Sequence, residues 1–132
     1  DMAAIRRLFN EEPHVVSTRS EQILQFHGAP HAAGCDEARE WVFFFSRQDR
    51  RVLSITRHFE PPAPVAALLP PRAVARRYQT PSGFPVLRVA LPGGRELLAV
   101  GASSVRDRVS QLQLLRSSDV IRFYPDLQSV LP

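Results

Sequence analysis

Three side chains with metal-binding or nucleophilic chemistry, His27, His31 and Cys35, recur at four-residue intervals. On a continuous helix that spacing would stack them on one face, where they could act as zinc ligands. Gly28 and Pro30 interrupt any such helix, and Asp36 would have to reach in from a loop. The three residues are therefore weak metal candidates, expected as partly exposed loop residues with no metal. Cys35 and His31 would form a nucleophile–base pair only if the fold placed them in contact. Gly101-Ala102-Ser103-Ser104 lacks the second glycine of a nucleophile elbow, and N-capping of a following helix accounts for its serines. Pro92-Gly93-Gly94 is expected to be a hairpin turn, because no helix follows it and the chain has no Lys for a phosphate loop. No catalytic residue and no cofactor is implied, and the chain is expected to be non-catalytic.

The basic residues point elsewhere. All 17 basic side chains are Arg, the residue suited to bidentate contact with carboxylate or phosphate. Residues 1–60 hold eight Arg against nine acids, whereas residues 61–132 hold nine against four. No acid lies between Pro61 and Arg95. Within that stretch Arg72, Arg76 and Arg77 are the expected contact residues, with Tyr78 as an aromatic anchor. The partner such a patch suits is a protein or an anionic lipid surface. Nucleic acid is the alternative: Phe43, Phe44 and Phe45 with Arg47, Arg50 and Arg51 imitate a stacking-plus-basic face. No zinc-finger, helix-turn-helix or aromatic RNA-binding signature accompanies them.

Composition sets the class. The 132 residues are 44% hydrophobic and 23% charged, ordinary for a globular domain. No apolar run approaches the roughly 18–20 residues that span a bilayer. The start, Asp1-Met2-Ala3-Ala4-Ile5-Arg6-Arg7, is polar and helix-like, unlike a signal peptide. The single cysteine leaves no intrachain disulfide to form.

The elements that would position these residues follow from pattern. Residues 3–9 predict a short helix with Ile5, Leu8 and Phe9 on one face. Thr18 and Glu21 make a capping box for a second helix carrying Ile23, Leu24 and Phe26, stopped by Gly28 and Pro30. Trp41–Phe45 is a continuous apolar run, a strand covered on both faces or at a module junction, and 52–59 alternates, so 41–59 is expected as a β-hairpin. Five of the twelve prolines fall in 61–71, an extended Pro-rich connection. Residues 86–100 predict a second hairpin. Ser104 and Asp107 cap a helix bearing Val105, Val109, Leu112 and Leu115, and 120–124 is a last strand. The fold class is thus α+β, helices packed on a mainly antiparallel sheet, in the order α-α-β-β, Pro-rich connection, β-β-α-β. The domain plan is one domain over 1–132 with two sub-modules: a helix–helix–hairpin module at 1–60 and a hairpin–helix–strand module at 72–132.

Residues 17–59 also resemble the SmpA/OmlA family of small outer-membrane lipoproteins. Arg19-Ser20-Glu21-Gln22-Ile23 corresponds to its helix start, Gly28 and Pro30 to its Gly-x-Pro, and Trp41, Phe43 and Phe45 to its aromatic strand. The usual Gly-Met-Thr entry is replaced by Val16-Ser17-Thr18, and residues 60–132 have no counterpart. The resemblance implies a non-catalytic binding or structural module of the bacterial cell envelope, in the periplasm or on the outer membrane. A cytoplasmic nucleic-acid-binding or regulatory module is the alternative, and a small metal protein or enzyme using His27, His31 and Cys35 the second.

Overall fold

The computed structural model describes residues 2–9, 11–27 and 38–130. The chain divides into two compact units, Asp1–Phe59 and Glu60–Pro132.

The first unit contains the short helix α1 (Met2–Arg6) and the strands β1 (His14–Ser17), β2 (Glu21–His27) and β3 (Glu40–Ser46). It also holds residues 52–59 of the long strand β4 (Val52–Pro64). Each strand pairs antiparallel with the next. The expected 41–59 hairpin is present as β3 and β4, and β3 is buried from both faces, at Val42, Phe43, Phe45 and Ser46. The expected second helix is not: residues 21–27 form β2, paired over seven positions from Glu21↔Ser46 to His27↔Glu40. The Thr18/Glu21 signature is used, but in a hairpin turn. Thr18 N–H donates to the Glu21 carbonyl at 2.8 Å, and Glu21 N–H donates to Thr18 Oγ1 at 3.0 Å. A three-residue side-chain-to-backbone bond suits a tight turn as well as a helix N-terminus.

Period-two alternation places Gln22, Leu24 and Phe26 of β2 on the face shared by Trp41, Phe43 and Phe45 of β3. α1 supplies Met2 and Ile5 to that face, and Phe9 follows just behind it. The Phe9 and Phe26 rings stack with centroids 3.9 Å apart, and Phe43 stands edge-on to both at 5.9 Å. Each buried ring removes a large apolar area from water, and the edge-to-face pairs add about 0.5–1.5 kcal/mol apiece.

The second unit contains residues 60–64 of β4, a single helical turn α2 (Val65–Leu68), and the strands β5 (Ala75–Gln79), β6 (Pro85–Leu91), β7 (Arg95–Val100) and β8 (Arg108–Arg116). A 3₁₀ turn at Ser117–Asp119 leads into α3 (Val120–Phe123), and β9 (Gln128–Ser129) pairs with β5. The order beside β8 is β8-β7-β6-β5-β9, and every pairing in this run is antiparallel. The prolines at 61, 62 and 64 fall beyond the last β3 pair, Glu40↔His58, so they remove no bond from that ladder.

The helix expected at 104–115 is a loop and then β8. Asp107 Oδ2 reaches back to accept the N–H groups of Ser103 (2.7 Å) and Ser104 (3.1 Å), which turns the chain into a strand. Val109, Gln113 and Leu115 then alternate on one face, with Leu112 on the other. The strand expected at 120–124 is the one-turn helix α3. The α+β assignment is therefore corrected: the protein is mostly β, with nine strands and three short helices among the described residues. In both overturned helices an apolar spacing compatible with 3.6 residues was equally compatible with 2, and cross-strand pairing decided between them.

The core of this unit is Val86, Leu98, Leu115 and Val120, with Val100, Phe123, Tyr124 and Leu127 against it. The Tyr124 hydroxyl donates to Gln113 Oε1 at 3.2 Å, and burial pushes its phenol above the ordinary value of 10.0.

Candidate functional site

The face of the second unit that carries this core continues into an open groove. Alternation sets Val86, Arg88 and Ala90 of β6 on one face, together with Arg76 and Tyr78 of β5 and Glu96 and Leu98 of β7. The segment 120–127 covers the apolar part at Val86 and Leu98. Beyond it lies a cavity of about 660 Å³, floored by Tyr78, Arg88 and Glu96 and walled by Pro70, Pro71, Arg72, Val74, Arg76, Leu91 and Pro92.

Arg88 and Glu96 form a bidentate pair, Nε to Oε1 and Nη2 to Oε2, both at 2.7 Å. Their side chains are only 21% and 9% exposed. The Arg88 guanidinium also lies over the Tyr78 ring, 4.6 Å from its centroid. Hydrogen bonding to Glu96 raises the affinity of Arg88 for its proton, against the desolvation that would lower it. The same hydrogen bonds hold the Glu96 carboxyl below its ordinary value of 4.5, helped by Ser117. Floor charge is thus internally matched, and the guanidinium packs over the tyrosine ring.

The rim is not matched. Arg76 stands directly opposite Arg88 across β5 and β6, and the Glu96 carboxylate beside them is already engaged by Arg88. Arg72 sits in a turn closed by Ala73 N–H to the Pro70 carbonyl at 3.2 Å, at φ 62°. Proline at the second position and positive φ at the third describe a type II turn, whose third residue is usually Gly or Asn. Among the described residues no carboxylate lies within ion-pair distance of Arg72 or Arg76.

Of the four residues singled out in the sequence, Arg72, Arg76 and Tyr78 come together at this groove. Arg77 does not; it is on the opposite face of β5, paired with Leu87. Arg88 and Glu96 are the members that spacing alone missed, because their partnership needs the β6–β7 register. Of the three weak metal candidates, His31 and Cys35 lie outside the described residues, and His27 is exposed. Among the described residues no three ligand side chains converge to hold a metal. Glu40 instead lies between two histidines, Oε2 3.8 Å from His27 Nδ1 and Oε1 3.9 Å from His58 Nε2. No helix among the described residues is long and apolar enough to cross a membrane.

No family model, curated protein or solved structure matches the chain. The SmpA/OmlA resemblance and the lipoprotein character it implied therefore gain no support, and the helix that the resemblance placed after Thr18 is the strand β2.

Proposed function

We propose that this chain is a non-catalytic binding module whose second unit takes an extended acidic segment of a partner protein in the Arg72–Arg76–Tyr78 groove. The observation that carries this reading is the contrast between a charge-matched floor and an unmatched cationic rim. Arg88 is already held by Glu96, whereas Arg72 and Arg76 offer two guanidinium forks to an incoming carboxylate. Pro70, Pro71, Val74 and Leu91 supply apolar walls, and Tyr78 supplies a preset aromatic surface of the kind that anchors peptides. The groove is concave, which favours a peptide over the flat surface of a bilayer.

The test is fluorescence anisotropy with an Asp/Glu-rich peptide containing proline, run beside phosphatidylglycerol vesicles and single-stranded DNA. Peptide binding that is abolished by R72E/R76E and retained in R77E supports the groove. Peptide binding that ignores R72E/R76E, or vesicles or DNA that bind more tightly than the peptide, would overturn it.

A further inference from the structure

We propose that the first unit carries a separate anion site, in the cleft between α1 and the β3–β4 turn, for a carboxylate or phosphate borne on a small apolar body. It stands independently of the peptide groove. The cleft has a volume of about 580 Å³ and is lined by Met2, Ala3, Gln22, Phe45, Arg47 and Arg50. That size falls in the range of small-molecule sites, roughly 300–1,000 Å³.

The turn carrying both arginines consumes its own polar groups. Ser46 N–H donates to the Arg51 carbonyl at 2.9 Å, and Arg50 N–H donates to the Ser46 carbonyl at 2.8 Å. The Ser46 hydroxyl donates to Asp49 Oδ1 at 2.9 Å. Arg51 Nε donates to Asp49 Oδ2 at 3.1 Å. The one acid of the turn is thereby engaged from both sides. Among the described residues no carboxylate is left within ion-pair distance of Arg47 or Arg50.

Arg47 is also pinned in place. Its N–H donates to the Ser20 carbonyl at 3.0 Å, and its Nη1 donates to the Thr18 carbonyl at 2.9 Å. One donor of the guanidinium is used to fix it at the cleft, and the rest of the fork remains to bind. Arg50 holds φ 56°, a left-handed conformation that hairpin turns normally assign to Gly or Asn. Among the described residues only two non-glycines have positive φ, Arg50 and Arg72. Each lines a cleft, one in each unit. Residues held at such sparsely populated backbone angles cluster at functional positions. The guanidinium pair selects an oxyanion, the Gln22 amide can donate to it, and Phe45 with Met2 gives its apolar body a wall.

The experiment is an amide-shift titration of the isotope-labelled chain with two probes at millimolar concentration, hexanoate and inorganic phosphate. Shifts at Gln22, Ser46 and Arg50 with hexanoate alone identify a carboxylate carried on an apolar body. Shifts with phosphate as well show that the oxyanion itself suffices. Binding should weaken about tenfold in R50G and in R47Q, the loss expected for one charge-assisted contact; R50G should melt at or above the parent, and R47Q should still melt cooperatively. If neither probe moves those amides, or if R50G and R47Q bind as the parent does, the site does not exist.

Discussion

The two units solve one problem in different ways. Each hangs an arginine at positive φ beside a cleft, Arg50 in the first and Arg72 in the second. In the first unit the cleft rests on an aromatic core, with Phe45 beneath it and Phe9, Phe26 and Phe43 interlocked behind. In the second it rests on a bidentate ion pair, Arg88–Glu96, capped by Tyr78, and the neighbouring core is mainly aliphatic. The first unit spends its turn acid, Asp49, on Ser46 and Arg51. The second has no acid to spend between Pro61 and Arg95. A local acid trimmed from one cleft and an acid-free stretch around the other both leave arginines unpaired. The difference lies in the lining: two cations over an aromatic core suit a small oxyanion on an apolar body, and a cationic rim among prolines and a tyrosine suits a chain.

The largest effect that could break this contrast is in the aromatic core. Phe26 is fully buried and stacked on Phe9, so F26A should cost about 3–5 kcal/mol of stability through lost transfer energy and a cavity. Chemical denaturation measures it. A cost below about 1 kcal/mol, the range of an exposed position, would mean that the rings do not hold the first unit as described.

Next in size is the ion pair beneath the groove. E96Q leaves the largely buried Arg88 without its counter-charge and should cost about 2–4 kcal/mol. Its pH signature has a definite sign. Glu96 titrates below 4.5 when folded, held there chiefly by hydrogen bonds from Arg88, and near its ordinary value when unfolded. The unfolded chain therefore binds more protons in that window. The stabilisation is complete above about pH 4.5 and is lost as the pH falls through the lower folded value. Melting temperatures measured from neutral pH downward should show this acid loss in the parent and lack that component in E96Q. Identical acid profiles would show that the pair contributes nothing to folding.

How far the sequence foretold this arrangement can be followed residue by residue. The 41–59 hairpin was legible because its apolar run and its alternation are both strand signals, separated by a polar turn. The β2 and β8 strands were not. Ile23, Leu24 and Phe26 fit a helix face as well as a strand, and Thr18/Glu21 and Ser104/Asp107 bond over three residues in turns as readily as at helix starts. Arg72, Arg76 and Tyr78 were legible as a cluster through the missing acids around them. Arg77 shared that signal but lies on the other face, since adjacent residues of a strand point apart. Arg88 and Glu96 were hidden because eight residues and a hairpin separate them. Arg50 stood in the sequence as one more basic turn residue, and its positive φ has no marker there, because an arginine occupies a position where Gly or Asn would have given it away.

The smallest effect on stability is the sharpest test of the parallel between the clefts. Left-handed backbone costs a residue with a Cβ about 1–2 kcal/mol, while glycine loses about 0.5–1 kcal/mol more conformational entropy on folding than other residues. R50G and R72G should therefore leave stability unchanged or raise it by up to about 1 kcal/mol. Each should lose binding only in its own cleft: R50G for hexanoate or phosphate, R72G for the acidic peptide. Stability preserved with binding lost marks a residue kept for its ligand at the expense of its backbone. A drop of about 1 kcal/mol or more in either variant would instead mean that the guanidinium is a structural strut. Cross-loss, with R50G weakening the peptide as much as R72G does, would mean that the two arginines serve one ligand and that the distinction between a small-anion cleft and a peptide groove is wrong.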